Sequence, residues 1–320
     1  MLFEKQIQNY YRSRLYRRCD PDGTVFYFSA EDFPGLNCRA SSFRANAGHA
    51  LHGWFYYYDN PIAGRIVVFD HGMGNGHRAY LREIEHLAKA GYLVYTYDHT
   101  GCAQSEGAHI GGFAQSLNDL DACLKHIKAL PQLQDRKISV MGHSWGGFST
   151  MNIAALHPDI THVVSIAGFI CVEKIVEQSF PGLMKGYVKG ICQMEQHANP
   201  EYYGYHAVET LEKTNARVLL IYSDNDPLVH KNPHYDALYA ALKDKPNVQL
   251  LLESGKGHSP HYSARAVAQK DAFFADLKKM RSKLTTDAQK KAFLDRYDWN
   301  IITEQDAAVW EVILKTLEEV

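Results

Sequence analysis

The sequence lacks a long uncharged apolar run, an excess of charge of one sign, and any paired cysteine motif. No stretch of about 18 apolar residues occurs, so no integral membrane span is expected. The 34 basic residues nearly balance the 36 acidic ones, and this balance predicts no nucleic-acid partner. The six cysteines are scattered without a CxxC pair, which is typical of reduced thiols in a cytoplasmic protein.

The composition is typical of a globular protein, and the N-terminal segment has the pattern of a helix. Among the 320 residues, 46% are hydrophobic and 22% are charged, which allows a full core without disulfides. The first 18 residues lack the apolar h-region of a signal peptide and place apolar side chains at helical spacing. We expect a leading helix packed on the domain, with a helix lying on a membrane surface as the alternative.

Strand and helix patterns alternate along most of the chain. The predicted strands are Cys38–Arg44, His52–Tyr58, Arg65–Phe69, Leu93–Tyr97, Lys137–Met141, His162–Ala167, Arg217–Tyr222 and Val248–Leu252. The predicted helices are His77–Ala90, Phe113–Leu130 and Gly147–Leu156, and the predicted turns between the first strands are at Gly48, Asn60-Pro61 and Gly64. This alternation predicts an α/β fold with a mostly parallel central sheet flanked by helices, which binds ligands at the carboxyl ends of its strands.

One segment, residues 169–216, interrupts the alternation between two strands. Its apolar stripe consists of Phe169, Phe180, Leu183, Met184, Tyr187 and Ile191. An insertion on the ligand side of a sheet is the natural place for a lid. We therefore predict a small helical cap in which Met184 and Tyr187 bind substrate, with an extra helical layer on the sheet edge as the alternative.

The tail also departs from the alternation. It reads as two helices, with Thr285 or Thr286 and Thr303 as N-caps. The predicted organisation is an N-terminal helical extension, a core in two parts, the cap, and a C-terminal helical extension. In that order they span residues 1–35, residues 36–168 with 217–280, residues 169–216, and residues 281–320.

The sharpest chemical signal is Gly142-His143-Ser144-Trp145-Gly146, which directly follows a predicted strand and precedes a predicted helix. This is the G-x-S-x-G pattern in the context that a nucleophilic serine requires. Ser144 would sit at strained backbone angles, and Gly142 and Gly146 would let neighbouring backbone approach without a Cβ clash. The alternative is a glycine-rich turn that contains a serine by chance.

A serine hydroxyl needs a base, and the base needs a carboxylate. His258 follows a strand and a glycine loop, and we predict it to be the base; the nearest rival is His261, which we place in the next helix. Two other histidines, His230 and His234, lie in a predicted loop. Asp226 follows the preceding strand, so the chain order is Ser, Asp, His, and Asp224 is the runner-up for the acid.

The transition state of acyl transfer also needs donors for its oxyanion. The glycine-rich loop His71-Gly72-Met73-Gly74 follows a strand and can turn the Met73 amide toward Ser144, opposite the Trp145 amide. Two such amides can each contribute about 3 kcal/mol to the transition state. We predict Met73 and Trp145 as the oxyanion hole, with His71 and Gly72 in the supporting loop; a plain strand-ending turn is the alternative.

These motifs together resemble the α/β-hydrolase superfamily, and within it the serine aminopeptidase and monoglyceride lipase-like group. The resemblance is carried by the 71–74 and 142–146 motifs, by Ser223-Asp224-Asn225-Asp226-Pro227, and by Gly257-His258. The segment 98–107 matches the D-x-R-G-x-G-x-S-x-G loop of the group, except that Thr100 replaces its arginine and Ala103 replaces its second glycine.

The predicted function is a serine hydrolase that cleaves a carboxylic ester of a small-molecule acyl substrate through an acyl-enzyme. The resemblance implies carboxylesterase, lysophospholipase or monoglyceride lipase-like activity. This chemistry requires no organic cofactor, and no H-E-x-x-H or Cys/His framework predicts a metal site. Two alternatives stay open: a peptidase, amidase, thioesterase or acyltransferase with the same triad, and a hydrolase-fold ligand receptor with little turnover.

Overall fold

The computed structural model describes residues 3–59, 61–74 and 76–319, so Asn60 of the predicted Asn60-Pro61 turn lies outside the described residues. Ten strands occur in this part of the chain. In chain order they are β1 (Asn37–Ala40), β2 (Phe43–Arg44), β3 (Ala50–Leu51), β4 (Gly53–Tyr57), β5 (Arg65–Asp70), β6 (Leu93–Tyr97), β7 (Lys137–His143), β8 (His162–Ile166), β9 (Arg217–Ser223) and β10 (Val248–Glu253).

Eight of the strands form one sheet in the order β1-β4-β6-β5-β7-β8-β9-β10. All neighbours from β6 to β10 pair in parallel, whereas β4 runs antiparallel to both β1 and β6. The chain moves from β5 outward to β6 and then returns to the other side of β5 at β7. The carboxyl ends of β5 and β7 therefore meet at the point where the strand order reverses, which is where α/β sheets bind ligands.

Helices flank this sheet, as the sequence predicts. In chain order they are α1 (Glu4–Leu15), α2 (Leu81–Lys89), α3 (Gln115–Ala129), α4 (Trp145–Asn152), α5 (Val172–Ser179), α6 (Val188–Ala198), α7 (Ala207–Lys213), α8 (Asp236–Leu242), α9 (Ala264–Met280), α10 (Asp287–Leu294), α11 (Trp299–Ile302) and α12 (Ala307–Glu318). Within the described residues, no helix is both long and apolar enough to cross a membrane.

The core lies on both faces of the sheet because successive residues of a strand point to opposite sides. In β5, Ile66 and Val68 join the cluster that packs against α3, α4 and the helices of residues 169–216. Val67 and Phe69 join the cluster that packs against α2 and α12. All four side chains are fully buried, so the apolar run predicted for this strand is indeed covered on both sides.

The predicted strand Cys38–Arg44 is wrong as a single element. Its first half, β1, pairs with β4 in the main sheet, and its second half, β2, pairs with β3 in a separate two-stranded sheet. The chain leaves the main sheet because Phe43 turns inward, where its ring lies 5.4 Å from the ring of Tyr97. Burial of an aromatic side chain outweighs the continuity of the strand.

The tail forms three helices rather than the predicted two. Thr286 is an N-cap, as predicted, and its side chain accepts a hydrogen bond from the backbone of Gln289. Thr303 instead follows the last residue of α11. The caps of α11 and α12 are Asp298 and Asp306, whose carboxylates each accept two backbone N–H groups, more than a threonine hydroxyl in the same position usually takes.

Candidate active site

Ser144 occupies a sharp turn between β7 and α4. Its backbone angles are φ +57° and ψ −110°, a region that a residue with a side chain rarely adopts. The turn is held on both sides, because the Ser144 N–H donates to the carbonyl of Ile166 at 2.8 Å and its carbonyl accepts from Phe148. The serine is thus fixed at the carboxyl end of a central strand.

The two glycines of the motif make this turn possible. A Cβ on Gly142 would lie 2.4 Å from the carbonyl oxygen of Gly146, and a Cβ on Gly146 would lie 2.1 Å from that of Asp70. Both distances are far shorter than a carbon–oxygen contact permits, and both neighbours are backbone atoms that cannot move aside. Only glycine fits at these positions.

His258 stands between Ser144 and Asp226. Its Nε2 lies 2.8 Å from Ser144 Oγ, and its Nδ1 lies 2.7 Å from Asp226 Oδ2. A carboxylate can only accept, so Nδ1 carries the proton and Nε2 is left to accept from the serine hydroxyl. Asp226 is buried, and its other oxygen accepts from the backbone of Leu228 and Val229.

Asp224, the runner-up for the acid, points elsewhere. Its side chain accepts from Ser254 Oγ at 2.8 Å and from the backbone N–H of Gly255 at 2.9 Å. Backbone hydrogen bonding, chiefly from Gly255, lowers the pKa of this exposed carboxyl. Asp224 therefore ties the loop after β9 to the loop after β10 rather than facing His258.

The rival histidines do not reach the serine. His261 lies in the turn before α9, not inside that helix as predicted, because the helix is capped and begun by Ser263. It is buried, and its Nε2 lies 3.0 Å from Glu83 Oε1. His230 is exposed, and the buried His234 accepts from the backbone N–H of Ile170.

The loop after β5 is held in place by its own histidine. His71 donates from Nδ1 to the Gly72 carbonyl at 2.7 Å and accepts at Nε2 from the backbone N–H of His99 at 3.0 Å. Burial, followed by the charge on His99, lowers the pKa of His71 to about 3, so this ring stays neutral. Gly72 has no room for a side chain, because a Cβ would lie 2.3 Å from Tyr80 Oη.

Trp145 and Met73 are the predicted amide donors, and the structure describes their surroundings. Trp145 is the first residue of α4, where a backbone N–H has no acceptor within the helix. Its indole is buried and donates to the Phe113 carbonyl at 2.6 Å, so the side chain anchors the turn in the core. Met73 is partly buried against the same core cluster.

Sequence reasoning missed the role of His143, the variable residue of the motif. Its Nε2 donates to the backbone carbonyl of His258 at 2.7 Å, and its Nδ1 accepts from Tyr80 Oη at 2.9 Å. Burial lowers the pKa of His143 well below its usual value, which keeps the ring neutral. The side chain therefore connects the serine turn directly to the histidine loop.

A buried charge cluster beneath the turn was also missed. His99 lies with Nε2 3.1 Å from Asp70 Oδ1 and Nδ1 3.2 Å from Asp119 Oδ2. Burial opposes its protonation, but Asp70 and Asp119 outweigh burial and raise the pKa of His99 to about 10. Its ring packs 4.7 Å from that of Trp145. The only sequence signal was that Asp70 and His99 end or follow neighbouring strands.

Residues 169–216 are helical, as predicted, and consist mainly of α5, α6 and α7 with a 3-10 helix at Gly182–Tyr187. Of the predicted apolar stripe, Phe169, Phe180 and Ile191 are buried, and Met184 and Tyr187 are partly buried against the core cluster that contains Trp145. The prediction that Leu183 belongs to this apolar stripe is wrong. Its side chain is 100% exposed, because it projects outward from the short 3-10 helix.

The segment is braced by the N-terminal helix. Glu195 in α6 is fully buried and accepts from Tyr11 Oη at 2.8 Å, from Tyr16 Oη at 3.1 Å and from the backbone N–H of Phe113 at 2.7 Å. Helix α1 thus packs on the protein, and it does so against α6.

The sequence pattern described as serine aminopeptidase, S33, matches residues 62–243 of this chain. The chain belongs to the serine aminopeptidase S33 family. This family membership, together with the sheet, confirms the resemblance to the α/β-hydrolase superfamily.

Curated relatives of this S33 family member match it over a limited length. A Caulobacter segnis protein assigned the name carbamate hydrolase RutD is 30% identical over 112 residues, which cover 35% of this chain and 38% of that protein. Monoglyceride lipase of Mus musculus is 29% identical over 107 residues, covering 32% and 34%. The chain thus matches little more than a third of the length of these relatives.

Solved structures share the fold of this S33 family member over most of its length. An esterase of Pyrococcus furiosus superposes with a TM-score of 0.59 at 19% identity, covering 87% of this chain and 99% of the esterase. Acetyl xylan esterase from Paenibacillus sp. R4 gives a TM-score of 0.56 at 16% identity, covering 87% and 93%. At these identities the likeness establishes the α/β-hydrolase fold.

Proposed function

We propose that the protein is a serine hydrolase that cleaves a carboxylic ester, with Ser144 as nucleophile, His258 as general base and Asp226 as the acid that orients it. One observation carries the proposal. The hydrogen bonds of 2.8 Å and 2.7 Å join these three side chains in series, and the series begins at the strained turn of Ser144. Such a series is the arrangement by which a serine hydroxyl is activated.

In the first half of the reaction, Ser144 Oγ attacks the acyl carbon of the ester. His258 Nε2 accepts the hydroxyl proton as the new bond forms, and it returns that proton to the departing alcohol oxygen. Asp226 stays ionised and stabilises the imidazolium through Nδ1–H. The neutral His143 holds the backbone of His258 at 2.7 Å while the ring changes charge, so the base keeps its position.

The backbone amides of Met73 and Trp145 are proposed to hold the oxyanion. Trp145 N–H lies at the positive end of α4, where a developing negative charge is stabilised. In the second half, His258 takes a proton from water, the water attacks the acyl-enzyme, and Ser144 is released. Every proton that the base accepts is returned, so the cycle closes without a redox step.

An ester is the favoured substrate because the structural neighbours include esterases and one curated relative is a lipase. The family description and the carbamate hydrolase relative point to the second candidate, a peptidase or amidase with the same three residues. A panel of matched acetyl and butyryl esters, thioesters, carbamates and aminoacyl amides tests the choice. Faster turnover of the amides or carbamates than of the esters would overturn the ester assignment.

Fluorophosphonate labelling tests the nucleophile itself. Only an activated serine attacks the phosphorus centre, so the folded protein is expected to take up one label at Ser144, located by mass spectrometry. Ser144→Ala is expected to abolish labelling and ester turnover, whereas Ser13→Ala, at an exposed position of helix α1, should leave both unchanged. A label at another residue would contradict the assignment. Labelling without a burst of product from p-nitrophenyl esters would favour the receptor alternative.

We also propose that residues 169–216 act as a cap that sets acyl-chain preference. Met184 and Tyr187 support this, because both pack on the apolar cluster that contains Trp145, next to the nucleophile in sequence. The bracing of α6 through Glu195 keeps the segment in place. The division of the chain into an N-terminal extension, a two-part core, this cap and a C-terminal extension is proposed with it.

A further inference from the structure

A cavity of about 210 Å³ lies next to the proposed active site without containing it. Its walls come from residues 25–28, from residues 78–82, and from the segment between Ser259 and Thr303, with His143 at one side. Ser144, Asp226 and His258 do not line it. The cavity is therefore a separate space between the core and the segments before and after it.

The charge of this cavity has one sign. Arg78, Arg82 and Lys270 line it, and no aspartate or glutamate among the described residues does. Arg78 donates to backbone carbonyls and Arg82 to neutral groups on Asn300 and Thr303. A cavity with cations and without lining carboxylates favours an anionic ligand.

Lys270 is the cation best placed to receive such a ligand. Its Nζ donates to Ser259 Oγ at 2.9 Å and lies 4.6 Å from the ring centre of Tyr262. Burial lowers the pKa of this ammonium group, and the negative charges of Glu83 and Asp271 act in the opposite direction. An ammonium has three N–H donors, and the Ser259 hydroxyl takes one of them.

The remaining wall is aromatic. Phe26 packs edge-on against Phe28 at 5.1 Å between ring centres, and it lies 5.5 Å from the ring of Trp299. Phe274 leaves 46% of its surface exposed at the same cavity. These rings can cover an apolar group but offer no specific partner for a polar one.

We propose that this cavity is an accessory binding site for a small monocarboxylate with an aryl or short alkyl body. The carboxylate pairs with the Lys270 ammonium, and the apolar body lies against Phe26, Phe28 and Trp299. The volume supports a small ligand, because sites for drug-sized molecules usually measure about 300–1,000 Å³. A bare inorganic anion would leave the aromatic wall uncovered, and a neutral apolar molecule would leave the ammonium without an anionic partner.

Two contacts connect this cavity to His258, the proposed base. Ser259, which accepts from Lys270, is the residue after His258. His143, which lines the cavity, donates to the His258 carbonyl. A carboxylate that draws Lys270 toward itself therefore acts on the backbone that positions His258.

The test is the binding of 3-phenylpropanoate by calorimetry to the full-length Ser144→Ala protein, which gives a readout independent of the proposed function. Saturable binding is expected, with 3-phenylpropanamide and inorganic phosphate each at least about tenfold weaker because one lacks the charge and the other the apolar body. Lys270→Met should weaken binding of the carboxylate by about tenfold or more. Lys278→Met, at an exposed lysine of the same helix, should leave it unchanged.

A second pair of variants guards against a folding defect in Lys270→Met. Phe274→Glu places a carboxylate at the exposed wall and should repel the ligand. Phe274→Gln introduces a neutral side chain of the same size as glutamate and should retain most of the affinity. No saturable binding, equal binding of the amide, or equal affinity of the two Phe274 variants would overturn the proposal.

Discussion

Two aspartates two positions apart follow strand β9, and only one of them faces His258. Asp226→Asn is expected to lower kcat by about 10⁴-fold, because a neutral amide neither stabilises the imidazolium nor fixes the tautomer. Steady-state hydrolysis of a p-nitrophenyl ester measures the effect. Circular dichroism of the variant checks that the fold is retained.

Asp224→Asn is the matched control. The substituted side chain keeps an oxygen that can accept from Gly255, so the loop stays tied and kcat should change by less than about tenfold. A larger loss for Asp224→Asn than for Asp226→Asn would show that the acid was assigned to the wrong residue.

The charge of His99 gives a prediction about pH. Because Asp70 and Asp119 raise the pKa of His99 to about 10, the ring should remain protonated at pH 8.5, where an ordinary histidine is neutral. Nitrogen-15 NMR of histidine-labelled protein measures this, and His99→Gln identifies the signal. A titration midpoint near 6.5 would contradict the cluster as described.

The same pKa fixes the direction of a stability change. The folded pKa lies above the unfolded value, so the contribution of His99 is complete below about pH 6.5 and is lost as pH rises through about 10. Between these limits the folded state holds one more proton, and the free energy of unfolding should fall by about 1.4 kcal/mol per pH unit from this group. Urea titrations from pH 7 to pH 9 measure the slope.

For single residues, the sequence predicts which residues belong to the candidate site better than it predicts what surrounds each of them. Ser144, His258 and Asp226 could be picked out because the strand-to-loop context restricts where such residues stand. The roles of His143 and His99 could not, since 17 histidines look alike until burial and neighbours are known. Both depend on residues far away in the chain, such as Tyr80 and Asp119.

Among the secondary-structure elements, the 3-10 helix at Gly182–Tyr187 offers the sharpest comparison. It carries Met184 and Tyr187, which face the core cluster, and Leu183, which faces solvent. Replacing either of the first two by alanine should change the ratio of kcat/KM between octanoyl and acetyl esters. A methylene group in an apolar pocket is worth about 1–3 kcal/mol, so the ratio should move at least about tenfold.

Leu183→Ala should leave the same ratio unchanged, because its side chain touches solvent alone. Thermal melting of all three variants separates specificity from stability. If the chain-length profile is the same in all three folded variants, the segment is scaffold and acyl preference is set elsewhere.

The helices and strands could be predicted from the spacing of apolar residues along the chain. The main error, in Cys38–Arg44, occurred where tertiary packing overrode that spacing. The parallel strands could be predicted because a short continuous apolar run between turn residues is typical of a strand that is covered on both faces. The split of Cys38–Arg44 depends on the inward turn of Phe43, which packs against Tyr97 and is not visible in a window of local sequence. The error at Thr303 was local, because Asp298 and Asp306 on either side of it supply the caps instead.

At the scale of the whole molecule, helix α12 is part of the core on one face of the sheet. Val309, Trp310, Ile313 and Leu317 of α12 are buried in the cluster that also holds Phe69 and Met141 of the central strands. Trp310→Ala should lower the free energy of unfolding by about 3–5 kcal/mol, since it removes a large side chain from a closed core. Guanidinium denaturation followed by circular dichroism measures the loss.

Glu311→Ala is the control for Trp310→Ala. Glu311 is exposed on the same helix, so its removal should change stability by less than about 0.5 kcal/mol. Equal effects of the two variants would show that α12 is not part of the cooperative core. The motif-based resemblance could not have shown this role, because the tail carries none of the motifs.

Hydrogen bonds join the loop that carries Asp226 to the loop that carries His258. Asp224 accepts from Ser254 and Gly255, and Asn225 accepts from the Gly257 N–H at 2.8 Å. Native-state hydrogen exchange should therefore show the amides of Gly255 and Gly257 exchanging through one cooperative opening rather than separately. The loops that carry Asp226 and His258 would then move as a single unit, and the His143 side chain, which donates to the His258 carbonyl at 2.7 Å, would couple that unit to the serine turn.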